Sequence, residues 1–349
     1  MKYSRKEIDK AGFALIGDDP FKRQQAVVLV TDWRQSHLPV LRELNEELAT
    51  LLVKNGIPFE FSSHRIKRMQ SIVEKIRNNK NMGLGGLQDI GGVRFVFPDM
   101  ETLSKADEAI KDYTPKNFTL KKSYDYISDP KESGYRSIHH VYKFSSENEE
   151  HDGLQIELQI RTKLQHSWAM AVETASLISG TSLKASIKDG SVWREFFKLV
   201  NAVFSIKEST ALHERFKGYT EWRFCDEYSK FLKEYKLLDQ LMALQVTVNA
   251  DKHKEIEEGY CVLSIDFRRK MVHFNYFGTE QDALASDLFT DMEKGTTNDE
   301  AVLMVSMKKM SELRKAYPSY FLDTKDFLSA LQEFDDMCAF RFKSDYYKA

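Results

Sequence analysis

Apolar side chains recur at helical spacing early in the chain and at alternate positions later, and the switch between these rhythms lays out the elements. Leu41, Leu44, Leu48, Leu51 and Leu52 fall three or four apart, on one face of a helix. Asp18, Asp19 and Pro20 read as a helix start, an acidic cap before a proline whose missing N–H is an orphan there anyway. That helical run is expected to reach Lys54, bent at Pro39 and closed by Gly56. Ile57, Phe59 and Phe61 alternate as a strand. A basic helix is expected over about 66–77, followed by a Gly-rich turn and a strand at 93–97. A helix over 101–111 and strands near 118–124, 138–144 and 154–160 complete the pattern.

The last of these strands is the most informative. Leu154, Ile156, Leu158 and Ile160 point to one face, and Gln155, Glu157, Gln159 and Arg161 to the other. From 162 to about 245 the rhythm is helical almost throughout, with Trp168, Trp193 and Trp222 among its bulky residues. Strands at 260–267 and 271–277, a helix over 280–294, a strand at 301–306 and two short helices then read as a separate small α+β domain. The expected division is therefore 1–245 and 246–349.

Charge changes this picture only locally. The net charge is −2, so nucleic-acid binding would rest on a patch rather than on a global basic field. The three cysteines, Cys225, Cys261 and Cys338, form no CxxC pair, which argues against a disulfide framework and against a zinc site. The first residues hold no apolar leader segment, and no run approaches the ~18 apolar residues of a membrane span. A soluble, cytoplasmic protein is expected.

Three clusters carry candidate chemistry. Arg65, Lys67, Arg68 and Lys75 crowd a strand-to-helix junction, where free N–H groups already favour anions. Asp89 stands in a loop before a strand that carries Arg94, and a carboxylate so placed can bind Mg²⁺. Lys131, Tyr135, Arg136, Ser137 and His139 surround Gly134, which permits a sharp loop. A stacking ring and a cation there suit a nucleotide. Taken singly, each cluster has a plainer reading: a solvated basic face, a capping aspartate, a polar turn. His139, His140 and His166 lack metal-ligand spacing and read as hydrogen-bonding histidines.

In order, these pieces form Arg-x-Lys-x-x-x-Ser-x-x-x-Lys, Asp-Ile-x-Gly-x-Arg, Asp-Tyr-Ile-x-x-Pro-Lys-x-x-Gly-Tyr-Arg-Ser-x-His and Glu-x-Gln-Ile-Arg-Thr. The series resembles the RelA/SpoT pyrophosphokinase (alarmone synthetase) domain from about Arg65 to Glu173. The resemblance implies an α+β fold, a mixed sheet flanked by helices and related to nucleotidyltransferases, with no hydrolase half before it. It implies transfer of the β,γ-pyrophosphate of ATP to a ribose 3′-hydroxyl. Arg65 and Arg94 would sandwich adenine, and Lys67 and Lys75 would neutralise the triphosphate. Asp89 and Glu157 would hold Mg²⁺, with Glu157 also serving as base or orienter of the hydroxyl. Lys131, Tyr135 and His139 would grip the acceptor, supported by Gln159 and Arg161.

Further features narrow the resemblance. Tyr124 stands where many guanosine-tetraphosphate makers carry a basic residue, and the stretch 164–174 is similar to toxic small alarmone synthetases. The stretch 313–324 is similar to the end of CapRel-type fused toxin–antitoxin proteins. That likeness implies a tRNA target, the 3′-terminal adenosine of the CCA end, and a zinc-finger-like antitoxin domain without metal. It also implies autoinhibition by Tyr317 and Tyr320, three apart, and release by a phage protein such as a major capsid protein. The enzyme alternative makes (p)ppGpp or (p)ppApp from GDP, GTP or other free nucleotides. A nucleotide-binding sensor with a degenerate site is the non-enzyme alternative. Lys184, Lys188 and Arg194 are candidates for holding a tRNA arm.

Overall fold

A computed structural model describes residues 2–79, 82–179, 192–235, 259–266, 271–278, 280–295, 300–307 and 324–346. Three helices lead the chain: α1 (Arg5–Ile16), α2 (Pro20–Gln35) and α3 (His37–Lys54). Asp19 caps α2, its Oδ1 accepting from the N–H groups of Phe21 and Lys22. The chain breaks at Ser36 instead of bending at Pro39. Ser36 Oγ donates to the Trp33 carbonyl at 2.7 Å, while Pro39 sits in the first turn of α3, where no N–H is required. Helix α1 has no counterpart among the sequence expectations, although Ser4 and Glu7 form a capping box.

Five strands follow: β1 (Phe61–Ile66), β2 (Gly91–Phe97), β3 (Phe118–Asp125), β4 (Ile138–Phe144) and β5 (Gln155–Thr162). Helices α4 (Met69–Asn78) and α5 (Met100–Asp112) interrupt them, and α6 (Lys163–Ser179), α7 (Val192–Lys207) and α8 (Glu221–Tyr235) come after. The first strand starts at Phe61 rather than Ile57, because the Ile57 N–H still bonds back to Leu52 at the exit of α3. The C-terminal part supplies β6 (Gly259–Asp266), β7 (Met271–Gly278), α9 (Asp282–Lys294), β8 (Glu300–Met307) and α10 (Lys325–Tyr346).

All eight strands form one sheet in the order β3-β4-β5-β2-β1-β8-β6-β7. Strands β2 and β5 run parallel and the other neighbours antiparallel. The mixed α+β class is as expected. A zinc-finger-like C-terminal part finds no support: β6–β8 continue the sheet through the Arg65–Val305 pair. Among the described residues no group of three His, Cys, Asp or Glu could hold a metal. The expected boundary at 245 lies outside the described residues, as do 308–323, and α10 is a single 22-residue helix. No described helix is long and apolar enough to cross a membrane.

Two apolar cores hold this arrangement. One lies where α1–α5 pack on the sheet, centred on Leu41, Leu44, Val93, Phe95, Ile156 and Leu158, and it takes in Val262 and Phe289 from the C-terminal part. The other gathers α6, α7, α8 and α10 around Trp168, Phe196, Phe197 and Tyr228. Helix α10 enters it with Phe327, Leu331, Phe334 and Cys338, spaced to share one face. Cys338 forms a disulfide with Cys225 of α8, 113 residues away, which overturns the expectation of unpaired cysteines. Spacing along the chain does not reveal pairs that only packing brings within the ~5–6 Å a bridge requires.

A buried charge pair adds to the contacts that fix the C-terminal part to the rest. Arg34, fully buried on α2, donates from Nη1 to Glu293 Oε2 at 2.6 Å and from Nη2 to Oε1 at 3.2 Å. Its Nε donates to the Lys67 carbonyl at 2.8 Å, and Glu293 Oε1 also accepts from the Met69 N–H at 2.9 Å. Glu293 of α9 thus caps α4. Removing one partner strands a buried charge, so Glu293→Ala should lose about 3–5 kcal/mol in urea unfolding. Arg34→Met with Glu293→Leu should recover much of it. Equal stability of Glu293→Ala and wild type would show that the pair is not an anchor.

Candidate active site

The site lies on one face of the sheet where β1, β2, β5 and β4 run side by side. Register places Ser63 beside Arg94 and Arg65 beside Gly92 on β1 and β2, then Gly92 beside Glu157 and Arg94 beside Gln159 on β2 and β5. Gln159 in turn faces His139 on β4. Two rows of polar side chains therefore cross the strands, because cross-strand partners share a face. Gly92 interrupts the first row between Arg65 and Glu157. A Cβ there would meet nothing closer than the Glu157 carbonyl at 3.8 Å, so the gap is open space.

A cavity of about 140 Å³ opens over this gap, lined by Arg65, Lys67, Ser71, Arg94, Asp89 and Glu157 among others. Arg65, half-exposed, leans toward the buried Glu173 of α6 at 3.8 Å. Lys67 leaves the end of β1, and Ser71 and Lys75 follow one turn apart on α4. Both amines reach Asp89: Lys67 Nζ and Lys75 Nζ each lie 2.9 Å from its Oδ2. Burial works against the Asp89 carboxylate, yet the two ammonium groups hold it far below the usual carboxylate range. Its Oδ1 is buried with no hydrogen-bond partner among the described residues. Both ammonium groups thus sit on one oxygen.

A second cavity, about 250 Å³, meets the first at Asp89, Glu157 and Gln159. Lys131, Tyr135 and His139 line it together with Trp168 of α6 and with Arg194 and Phe197 of α7. Gly134 turns the loop with φ +84°, a conformation that suits glycine, and a Cβ there would meet Asn201 and Lys198 of α7 at 3.3 and 3.4 Å. Lys198 Nζ holds Glu132 at 2.9 Å. Arg136 turns away from the cavity, donating to Asn201, Glu208 and Thr210. The loop is thereby clamped to α7.

The carboxylate common to both cavities belongs to a closed circuit of hydrogen bonds. Glu157 Oε1 bonds His139 Nδ1 at 2.8 Å, and His139 Nε2 bonds Tyr135 Oη at 2.8 Å. Arg161 Nη2 donates to Tyr135 Oη at 2.5 Å and to Gln159 Oε1 at 2.6 Å. Gln159 Nε2 closes the loop on Glu157 Oε2 at 2.6 Å. Burial and the nearby Asp89 push Glu157 up, but the bonds from His139 and Gln159 keep it ionised below its ordinary value. Burial likewise opposes ionisation of Tyr135, and the Arg161 guanidinium with the His139 ring overcomes it, bringing the phenol down to about 7. His139 moves up despite its burial, drawn by Tyr135 and Glu157.

Each residue singled out in the sequence can now be placed. Arg65, Lys67 and Arg94 line the first cavity, Lys75, Lys131, Tyr135 and His139 the second, and Gln159 both. Asp89 and Glu157 line both. Arg161 lines neither; it is 4% exposed and stands behind Tyr135 as a strut. Tyr317, Tyr320, Lys184 and Lys188 lie outside the described residues. The sequence motifs contained Ser71 and Gly92 without assigning them a role, and the lining by Trp168 and Phe197 was not anticipated. For Phe197 the signal was present: Arg194, Phe197, Lys198 and Asn201 are spaced along one face of α7. The circuit makes a pH prediction. His139 should stay protonated above the ordinary ~6.5, and Tyr135→Phe should lower that value, since it removes the largest pull upward. Imidazole NMR titration measures both, and equal values in wild type and variant would refute the coupling.

Comparison with known proteins follows the same ground. A stretch of 118 residues is 36% identical to the GTP pyrophosphokinase YjbM of Bacillus subtilis (strain 168), covering 32% of this chain and 54% of that protein. Another, of 163 residues, is 28% identical to the GTP pyrophosphokinase rsh of Brucella melitensis, covering 47% of this chain and 20% of that protein. The chain thus spans about half, or less, of the length of these curated relatives. The solved structure of small alarmone synthetase 1 from Bacillus subtilis with its product pppGpp superposes with a TM-score of 0.44 at 24% identity, covering 53% of this chain and 94% of that one. Residues 64–177, which carry every strand and loop of the site described above, match the family described as the region found in RelA / SpoT proteins.

Proposed function

We propose that the chain is an ATP-dependent pyrophosphokinase that moves the β,γ-pyrophosphate of ATP onto a ribose 3′-hydroxyl. One observation carries this reading: two cavities of different character meet on Asp89, Glu157 and Gln159. A group transferred between two bound molecules requires such a junction, with one charged set of residues seen by both. Arg65 and Arg94 share a face on neighbouring strands and line the same cavity, and guanidinium planes stack well on a base. Lys67 and Lys75, which now neutralise Asp89, are long enough to turn to a triphosphate.

Asp89 and Glu157 are the residues that would hold Mg²⁺, and the unpartnered Asp89 Oδ1 fits that role. When bound, the ion would neutralise charge on the transferring phosphoryl groups. The chain's own residues do the rest. Glu157, kept ionised by its circuit, accepts the hydrogen bond of the 3′-hydroxyl and aims its oxygen at the β-phosphorus. A bond forms from that oxygen to phosphorus, the bond to the α,β-bridging oxygen breaks, AMP departs with the electron pair, and the hydroxyl proton passes toward Glu157. Preorganised groups of this kind lower the barrier because they need not reorient during the reaction.

For the acceptor, we read the 3′-terminal adenosine of tRNA as the target, which would block translation. Tyr124 supports it: it stacks on Tyr126 at 5.8 Å, with Lys131 Nζ 3.9 Å over the Tyr126 ring, so an aromatic ledge stands where a cation would serve a free polyphosphate. GDP or GTP is the second reading, favoured by the likeness to YjbM and rsh, both named GTP pyrophosphokinases. The C-terminal part would act as a restraint relieved by a partner such as a phage capsid protein. Its contact supports this role, because Glu293 and its partner Arg34 grip the β1–α4 turn that carries Lys67.

With γ-labelled ATP, Mg²⁺, deacylated tRNA, GDP and GTP offered together, label should appear on tRNA. Label on GDP or GTP alone would select the second reading. Asp89→Asn should lower transfer by about 10²–10³-fold with the fold intact, the scale for losing one group that stabilises transition-state charge. Unchanged transfer would remove Asp89 from the mechanism. Gly92→Leu, which fills the open gap, should abolish ATP binding in calorimetry. Tyr317→Ala with Tyr320→Ala should raise basal transfer in the full chain, and no change would exclude those rings as the restraint.

A further inference from the structure

Among the described residues the buried arginines Arg34, Arg94, Arg136 and Arg161 each interact with a neighbouring group, and one more does not. Arg34 is held by Glu293, Arg136 by Glu208, and Arg161 by Tyr135 and Gln159. Arg194 of α7 is 7% exposed and makes no hydrogen bond or ion pair among the described residues. A guanidinium does not shed its proton, and an ion withdrawn from water without a counter-charge is unfavourable. Its position explains the exception: Arg194 lines the larger cavity together with Lys131, Tyr135 and Glu157. Phe197 lies one turn further along α7, and Trp168 packs edge-on against it at 6.1 Å. The charge is therefore set in an apolar wall, facing a space that also touches Glu157.

We propose that Arg194 is the cation of an acceptor subsite that binds the phosphate on the 5′ carbon of the nucleotide receiving the transferred group. This rests on the pyrophosphokinase reading and adds to it the second contact that orients the sugar. With the 3′-hydroxyl on Glu157 and the 5′-phosphate on Arg194, the ribose is held at both ends across one cavity. The planar fork of the guanidinium matches two phosphate oxygens, and the aromatic wall excludes the water that would weaken the pair. Helix α7 makes the arrangement rigid, since its same face clamps the Glu132–Gly134 loop through Lys198 and Asn201. The required chemistry, a phosphate on the 5′ carbon, is common to a free nucleotide and to the last residue of an RNA, where it is a diester.

The test is calorimetric binding to the full chain, with the donor site saturated by an ATP analogue whose α,β-bridge is methylene. Two pairs of probes are compared: guanosine 5′-monophosphate with guanosine, and adenosine 5′-(methyl phosphate) with adenosine. In wild type at least one phosphate-bearing probe should bind roughly 10–100-fold tighter than its nucleoside, the scale of a hydrogen bond to a charged group. Arg194→Gln should reduce that preference to within about twofold, and Arg194→Lys should keep part of it. The pair that shows the effect separates a free nucleotide from an RNA end. Arg194→Gln should also melt at or above the wild-type temperature, because it removes an unpaired buried charge. A preference that survives Arg194→Gln, its absence from both pairs in wild type, or a melting point lower by more than about 5 °C would overturn the subsite. Label transfer measured in parallel keeps the two readings apart. Arg194-dependent binding without transfer sinks the pyrophosphokinase reading alone, and transfer with Arg194-independent binding sinks the subsite alone.

Discussion

The carboxylate of Glu157 is the constraint around which the site is arranged. It is buried beside a second carboxylate, Asp89, a setting in which one of the two would ordinarily take up a proton. The circuit through His139, Tyr135, Arg161 and Gln159 prevents that by giving both Glu157 oxygens a donor. Lys67 and Lys75 keep Asp89 ionised from one side, both on its Oδ2. Two ionised carboxylates at one junction are the requirement for holding a divalent cation and a hydroxyl together. A closed circuit also fixes geometry, since no member can turn without breaking two bonds.

Around this junction the molecule divides labour between layers. The sheet supplies register, which sets arginines, carboxylate and amide in rows and leaves the gap at Gly92. Lys67 at the end of β1 and Lys75 of α4 supply ammonium groups, and helix α7 lines the larger cavity. The buried Arg136–Glu208 pair and the contacts on Gly134 hold the loop 131–137 against α7 and the residue that follows it. The smaller cavity has a different support. There Arg34 and Glu293 join α2, the start of α4 and α9, which ties the C-terminal part to the turn carrying Lys67.

Much of this was legible in the sequence for a physical reason: alternation and helical spacing report which side of an element is dry. The polar face of β5 was read as Gln155, Glu157, Gln159 and Arg161, and the strand buries Ile156, Leu158 and Ile160 as that reading requires. The break in the first helical run was misplaced at Pro39, because proline is as comfortable in a first turn as it is disruptive in a middle one. Arg161 was read as supporting, with Gln159, the face expected to grip the acceptor. Its burial behind Tyr135 makes it a strut, a distinction that charge and alternation cannot draw.

The sequence by itself determined the local order of charged, glycine and aromatic positions, and with it the donor and acceptor clusters and the mixed sheet. Those depend on interactions within a few residues or on periodicity along one element. Only the tertiary structure decided which distant groups meet. It closed the circuit on Glu157, paired Cys225 with Cys338, joined β8 to β1, set Glu293 on α4 and left Arg194 alone in its wall. These contacts are set by how elements pack, and residues far apart in the chain carry no mark in their spacing of the partner that folding will bring to them.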